Sequence, residues 1–252
     1  MAATQTPPAE SYYCGLDLGQ AQDFTALAAL ARTETTQPAG LPRAGQQVAR
    51  YALRGLKRWP LGTLYTQIVA DVKEIVGKAP LTHCTLGIDK TGVGAAVVDM
   101  FAVANLRASL RPVLITAGHQ ATQGEDGTHH VPKRELVACL QVLLQERRLE
   151  IDTTLPEAKV LQRELAAFKV KVTAARNETF EADWRERAHD DLVLAVAIAA
   201  WLGERVGFWG PISAGPARES LVSRMPPGVA YQPEFRGSLY GDPYADPEAN
   251  DD

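Results

Sequence analysis

Short apolar runs fill the first sixty positions of the chain and then give way to helical spacing. Tyr12 to Leu18 is one such run, closed by Gly19, and Phe24 to Ala31 is a second. The intervening Gly19 to Asp23 predicts a hairpin turn. Thr33 to Gln46 is rich in Thr, Pro and Gly and reads as a loop. Gln47 to Trp59 then predicts a long strand, with Val48, Tyr51, Leu53 and Leu56 set among Arg50, Arg54, Lys57 and Arg58. Three successive strands predict an antiparallel meander.

After Pro60 the period changes. Leu64, Ile68, Val72, Ile75 and Val76 recur at helical spacing, with Thr63 available as an N-cap. His83 to Ile88 predicts a strand, followed by a glycine-bearing turn and a helix from about Val93 to Ala104. Pro112 to Thr116 predicts another strand, and the polar, Gly-rich Ala117 to Thr128 a mobile loop. Pro132 opens a helix that reaches about Arg147, a favourable place for proline. A further helix runs from about Pro156 to Phe168, with Leu161, Leu165 and Phe168 on one stripe. Val170 to Val172 and Thr179 to Glu181 read as short strands. Asp190 to Glu204 predicts an apolar helix ended by Gly203 or Gly207. The order predicts an α/β fold, a mixed sheet of three antiparallel strands and then parallel strands, flanked by helices. Residues 1–10 read as a disordered leader, 11–208 as the folded domain and 209–252 as an acidic, disordered tail.

Composition adds limits. The 252 residues are 46% hydrophobic and 22% charged, which suits one large domain with a tail. Residues 1–11 lack the apolar core of a signal peptide, and the most apolar stretch, Leu192 to Leu202, is too short to cross a bilayer. No membrane association is expected, and the implied location is cytoplasmic. Cys14, Cys84 and Cys139 have no C-x-x-C spacing and read as reduced core thiols. The net charge of −4 belongs to the tail: seven acidic and three basic residues lie from Pro211 onward, leaving 23 of each sign before it. A neutral body neither supports nor excludes DNA binding.

Candidate chemistry rests on carboxylates. Asp17 ends the first apolar strand in Gly15-Leu16-Asp17, and Asp89 repeats the arrangement in Gly87-Ile88-Asp89. A carboxylate in an apolar strand is costly to bury unless it is paired or binds metal. Strand ends at the carboxyl edge of an open sheet are also where ligand sites form. Asp190 and Asp191 stand at the front of the last helix, where the helix dipole favours negative charge and capping alone could account for one of them. Oxygen-only clusters suit Mg²⁺ or Mn²⁺ rather than zinc. Two such ions can clamp the attacking and leaving oxygens of a phosphodiester.

Four segments carry a resemblance. They are Gly15-Leu16-Asp17 with Asp23-Phe24-Thr25-Ala26-Leu27; Ile88-Asp89-Lys90-Thr91-Gly92-Val93-Gly94; Val131-Pro132-Lys133-Arg134-Glu135-Leu136, leading to Arg148-Leu149-Glu150-Ile151; and His189-Asp190-Asp191-Leu192-Val193-Leu194-Ala195. In order and spacing, from about Tyr12 to Leu202, the chain resembles the nuclease domain of the large terminase subunit of tailed bacteriophages. That family is a branch of the RNase H-like superfamily, which also holds RuvC-like resolvases. The resemblance implies an RNase H-like mixed sheet and endonucleolytic cleavage of double-stranded DNA during genome packaging, in a bacterial host cell. It implies two Mg²⁺ or Mn²⁺ ions held by Asp17, Asp89 and the pair Asp190–Asp191, with Asp191 preferred as the ligand and Asp190 kept as its alternate. His189 would assist a ligand or the departing group, and Lys133 could touch a phosphate.

One departure is large. A complete large subunit has an ATPase motor, and this sequence has no G-x-x-x-x-G-K-[ST] phosphate loop. The chain is then a motor-less nuclease, a separately encoded subunit or a fragment, and packaging would need a separate ATPase motor with a portal or small terminase subunit. Three other readings compete. One is a RuvC-like resolvase or repair nuclease on branched DNA, in which the Arg50–Trp59 strand could line a DNA channel. Another is a sugar-kinase or actin-like ATPase, which the room for a single domain disfavours. The third is a non-catalytic adaptor with the tail as its docking peptide.

Overall fold

The structure, a computed structural model, describes residues 10–19, 23–92, 94–174 and 190–205, the side chains of 94, 95 and 168–174 excepted. The expectations for the leader, the Gly19–Asp23 turn, Thr179 to Glu181, His189, Gly207 and the acidic tail fall wholly or largely outside these residues.

Among the described residues one eight-stranded sheet organises the fold, in the order β6-β7-β5-β4-β1-β2-β3-β8. β1 (Ser11–Asp17), β2 (Ala26–Thr36) and β3 (Gln47–Arg58) form the expected antiparallel meander. β4 (Thr85–Asp89) pairs parallel with β1, and β5 (Ser109–Thr116) pairs parallel with β4. β7 (His129–Pro132) continues the parallel half, while β6 (Thr122–Gln123) folds back on β7 and β8 (Leu149–Ile151) closes the other edge beside β3. α1 (Tyr65–Val76) and α2 (Gly94–Val103) cover one face through Ile68, Val72, Val97 and Phe101. α3 (Lys133–Gln145), α4 (Ala158–Ala174) and α5 (Asp191–Glu204) cover the other. The sheet is mixed, antiparallel in one half and parallel in the other, as the element order predicts.

Several local expectations change. β2 runs through Thr33–Thr36, which were expected to begin a loop, because Thr33, Thr35 and Thr36 pair with Arg50, Val48 and Gln47 and β-branched residues fit a pleated surface. Thr63 does not cap α1; its hydroxyl donates to the Pro60 carbonyl at 2.7 Å, and Leu64 holds the cap position. The segment expected as a mobile loop is a tied hairpin. Asp126 in its turn accepts the Thr128 amide and hydroxyl and the Lys90 ammonium at 3.0, 2.7 and 3.0 Å. Val170–Val172 lie inside α4 rather than in a strand, the helix already under way from Ala158 overriding their local preference. α5 continues through Gly203, because the helix there packs against the ring of Tyr51.

All three cysteines are buried and free. No helix among the described residues is long and apolar enough to cross a membrane.

The β3–α1 junction carries a testable electrostatic tie. Asp71 accepts hydrogen bonds from Lys57 Nζ at 2.9 Å, Trp59 Nε1 at 2.8 Å and Gln67 Nε2 at 2.7 Å. These donors lower its carboxyl to about 2. A depressed acid contributes stability that is present above its unfolded value and lost as pH falls through its folded one. Asp71→Asn should therefore cost about 1 kcal/mol at neutral pH. The gap to the parent chain should narrow as pH falls from about 4 towards 2, as read from urea midpoints across that window.

Candidate active site

The site begins with two glycines. Gly15 and Gly87 face α5, which lies so close that a Cβ on Gly15 would come within 2.0 Å of the Ala195 carbonyl oxygen. A Cβ on Gly87 would meet Leu202 and Ile198 at 2.5 and 2.6 Å. Side chains alternate along a strand, so Asp17 and Asp89, two residues on, face the same side. They stand one step beyond Leu16 and Ile88, which are paired in register on neighbouring parallel strands. α5 runs back over the glycines, placing its first residue, Asp191, at the end of the sheet that carries both carboxylates. Each Gly-x-Asp triplet thus combines a helix seat with a site residue.

Asp17, Asp89 and Asp191 are 7%, 7% and 5% exposed. Burial, and after it the charges of Asp89, Asp191 and Asp190, push the Asp17 carboxyl well above the usual carboxylate range. Asp17 and Asp89 lie close enough that the charge of Asp89 is the largest influence on Asp17 after burial. Burial also raises Asp89, opposed by the hydrogen bonds from Thr91. The Thr91 amide donates to Asp89 at 2.8 Å, while its hydroxyl accepts the Ile115 amide at 3.0 Å and anchors the turn to β5.

The two acidic residues at the head of α5 separate. Asp190 holds the cap position, makes no side-chain cap bond and pairs with Lys133 at 3.0 Å; its side chain is 24% exposed. Asp191 is the buried member of the pair. Lys133, which the resemblance offers as a phosphate contact, is a counter-ion here, and its charge also stabilises ionised Asp89. His189 lies outside the described residues. The structure therefore brings together Asp17, Asp89, Asp190 and Asp191 and says nothing of His189.

Sequence reasoning missed Glu164. From α4 it accepts the Leu192 and Val193 amides at 3.0 and 3.3 Å, and burial pushes its carboxyl up to about 7. A glutamate on the stripe of an amphipathic helix is the signal that could have found it. The basic strand β3 is largely engaged within the fold. Arg50 donates to the Arg147 carbonyl at 2.7 Å, Lys57 sits 4.6 Å from the Trp59 ring, and Arg58 sits 4.3 Å from the Phe24 ring.

The chain is similar to two solved phage terminase structures. The large terminase nuclease from thermophilic phage G20c shares 18% identity, with 75% of this chain and 81% of that one covered and a TM-score of 0.47. The HK97 bacteriophage large terminase shares 16%, with 77% of this chain covered and a TM-score of 0.42. This chain spans only 40% of the HK97 protein. No protein-family model matches the sequence, and no curated protein matches it. Likenesses at these levels carry no argument about chemistry, which rests on the carboxylates.

Proposed function

We propose that the chain is a metal-dependent endonuclease that cuts double-stranded DNA, working as the nuclease part of a phage packaging machine. The observation that carries this reading is the convergence of three buried carboxylates, Asp17, Asp89 and Asp191, from β1, β4 and α5. Their mutual repulsion is the signature of a site that must take up a proton or a cation. The donors are all oxygen, which fits Mg²⁺ or Mn²⁺. Among the described residues no three His, Cys, Asp or Glu side chains already stand at metal-ligand spacing. Binding an ion would therefore require these carboxylates to close around it.

Asp17, Asp89 and Asp191 would hold the ions. Two bound divalent ions supply Lewis-acid stabilisation of the attacking and leaving oxygens of a phosphodiester. Thr91 orients Asp89, and Lys133 offsets negative charge beside Asp190 without being a ligand. A packaging role needs double-stranded DNA, ATP hydrolysis by a motor, for which this sequence carries no phosphate-loop motif, and a portal or small terminase subunit as partner.

The test is incubation of the purified chain with supercoiled plasmid and Mn²⁺. Nicked and linear products are expected, and their loss on adding a chelator. Asp190→Asn, which removes a counter-ion partner and no preferred ligand, should retain cleavage to within about tenfold. Preference for four-way junctions over linear duplex would favour the resolvase reading. Absence of metal-dependent cutting on linear, supercoiled and branched DNA would sink the enzyme altogether.

A further inference from the structure

We propose that Glu164 is a positioning residue for this site, holding the first turn of α5, and with it Asp191, over the ends of β1 and β4. The proposal rests on the nuclease reading above for its catalytic consequence, though not for its geometry. A helix leaves its first four amides without partners, and a side-chain oxygen at the cap position ordinarily serves one of them. α5 lacks that arrangement, since Asp190 makes no side-chain cap bond. Glu164 Oε2 instead accepts the Leu192 amide at 3.0 Å and the Val193 amide at 3.3 Å, from 28 and 29 residues earlier in the chain.

A cap supplied by a different helix does what a local cap cannot. A local side chain satisfies the amides but moves with its own helix, whereas Glu164 fixes the turn against α4. The other Glu164 oxygen lies 3.7 Å from Arg58 Nη1, and Arg58 also meets Glu157 at 3.7 Å and packs on Phe24. Arg58 pairs with Ala26, which pairs with Asp17. The chain of contacts therefore runs from the strand row bearing Asp17, through Arg58 and Glu164, to the turn bearing Asp191. Glu164 is 6% exposed, so water does not readily replace it. Misplacing a catalytic group by about 1 Å can cost on the order of 10²-fold in rate.

Glu164→Ala and Glu164→Gln in the full chain test this, each held at a temperature where circular dichroism shows it folded. Glutamine keeps an acceptor oxygen for the two amides and alanine does not. Three quantities are read: amide hydrogen exchange in the peptide spanning Asp190–Leu194 without metal or DNA, Mn²⁺ affinity by calorimetry without DNA, and plasmid cleavage as a function of Mn²⁺. In Glu164→Ala, exchange at Leu192 and Val193 should accelerate. Mn²⁺ affinity and kcat should each fall by about tenfold or more, with DNA affinity unchanged. Glu164→Gln should stay within about threefold of the parent in all three. A merely structural role would lower the melting temperature and leave the Mn²⁺ affinity of folded protein alone. Parental exchange and Mn²⁺ affinity in Glu164→Ala would overturn the proposal, as would equal impairment of the two variants. If the parent chain itself fails to cut, the nuclease reading falls while exchange and calorimetry still decide the role of Glu164.

Discussion

Asp17→Asn should reduce Mn²⁺-dependent plasmid cleavage by on the order of 10³-fold or more while leaving the chain folded. Asp17 is buried, and three neighbouring carboxylates raise its affinity for a proton. An amide of the same shape removes a group whose charge is disfavoured by burial and by its neighbours. Melting temperature should be unchanged or a few degrees higher, as is common where a functional site is kept at a cost in stability. The combination discriminates: a structural carboxylate would lose stability and leave the residual activity of folded protein intact. Initial rates together with thermal denaturation in a chelator decide it. Cleavage within tenfold of the parent would remove β1 from the site.

Gly15→Ala should be the most damaging single methyl group in the fold. The added carbon would come within 2.0 Å of the Ala195 carbonyl oxygen and 2.8 Å of the Ala199 nitrogen, both backbone atoms of a helix with no solvent face. Neither can rotate away, so α5 must lift from β1 or the strand must bend. Overpacking of this kind costs about 3 kcal/mol or more, roughly 10 °C in melting temperature for a domain of this size. Gly87→Ala is the internal control. Its nearest contacts are side-chain atoms, Leu202 Cδ1, which can change rotamer, and Ile198 Cγ2, which sits on a branched carbon and yields less, so a smaller cost of about 2 kcal/mol is expected. Equal effects at the two positions would mean that α5 is held less rigidly than the geometry indicates.

What could be read from the sequence follows from which signals are local. The meander was legible because Tyr12 to Leu18 and Gln47 to Trp59 carry their own periodicity. Asp17 and Asp89 stood out as charges closing apolar strands. β8 and β6 were missed because three-residue and two-residue strands exist only through their partners β3 and β7. The choice between Asp190 and Asp191 could not be made from pattern, since one residue of helix rotation separates a salt bridge to Lys133 from a buried carboxylate. Glu164 stood out only as a charge on the apolar stripe of α4; its role is defined by amides on an element 28 residues away. Chain neighbours do not reveal that contact.

α5 has a consequence for synthesis. It is the last element among the described residues, and every residue from Asp191 to Gly203 is buried. Until it docks, the sheet face formed by Tyr13, Ala28, Leu30 and Leu53 has no central cover. The same docking event delivers the third carboxylate. A nascent chain that has emerged only as far as α4 thus holds two acidic residues and an open apolar groove, and core closure and assembly of the full carboxylate set happen together. Folding is its own safety catch: a half-made copy lacks the third carboxylate on which the proposed cleavage depends.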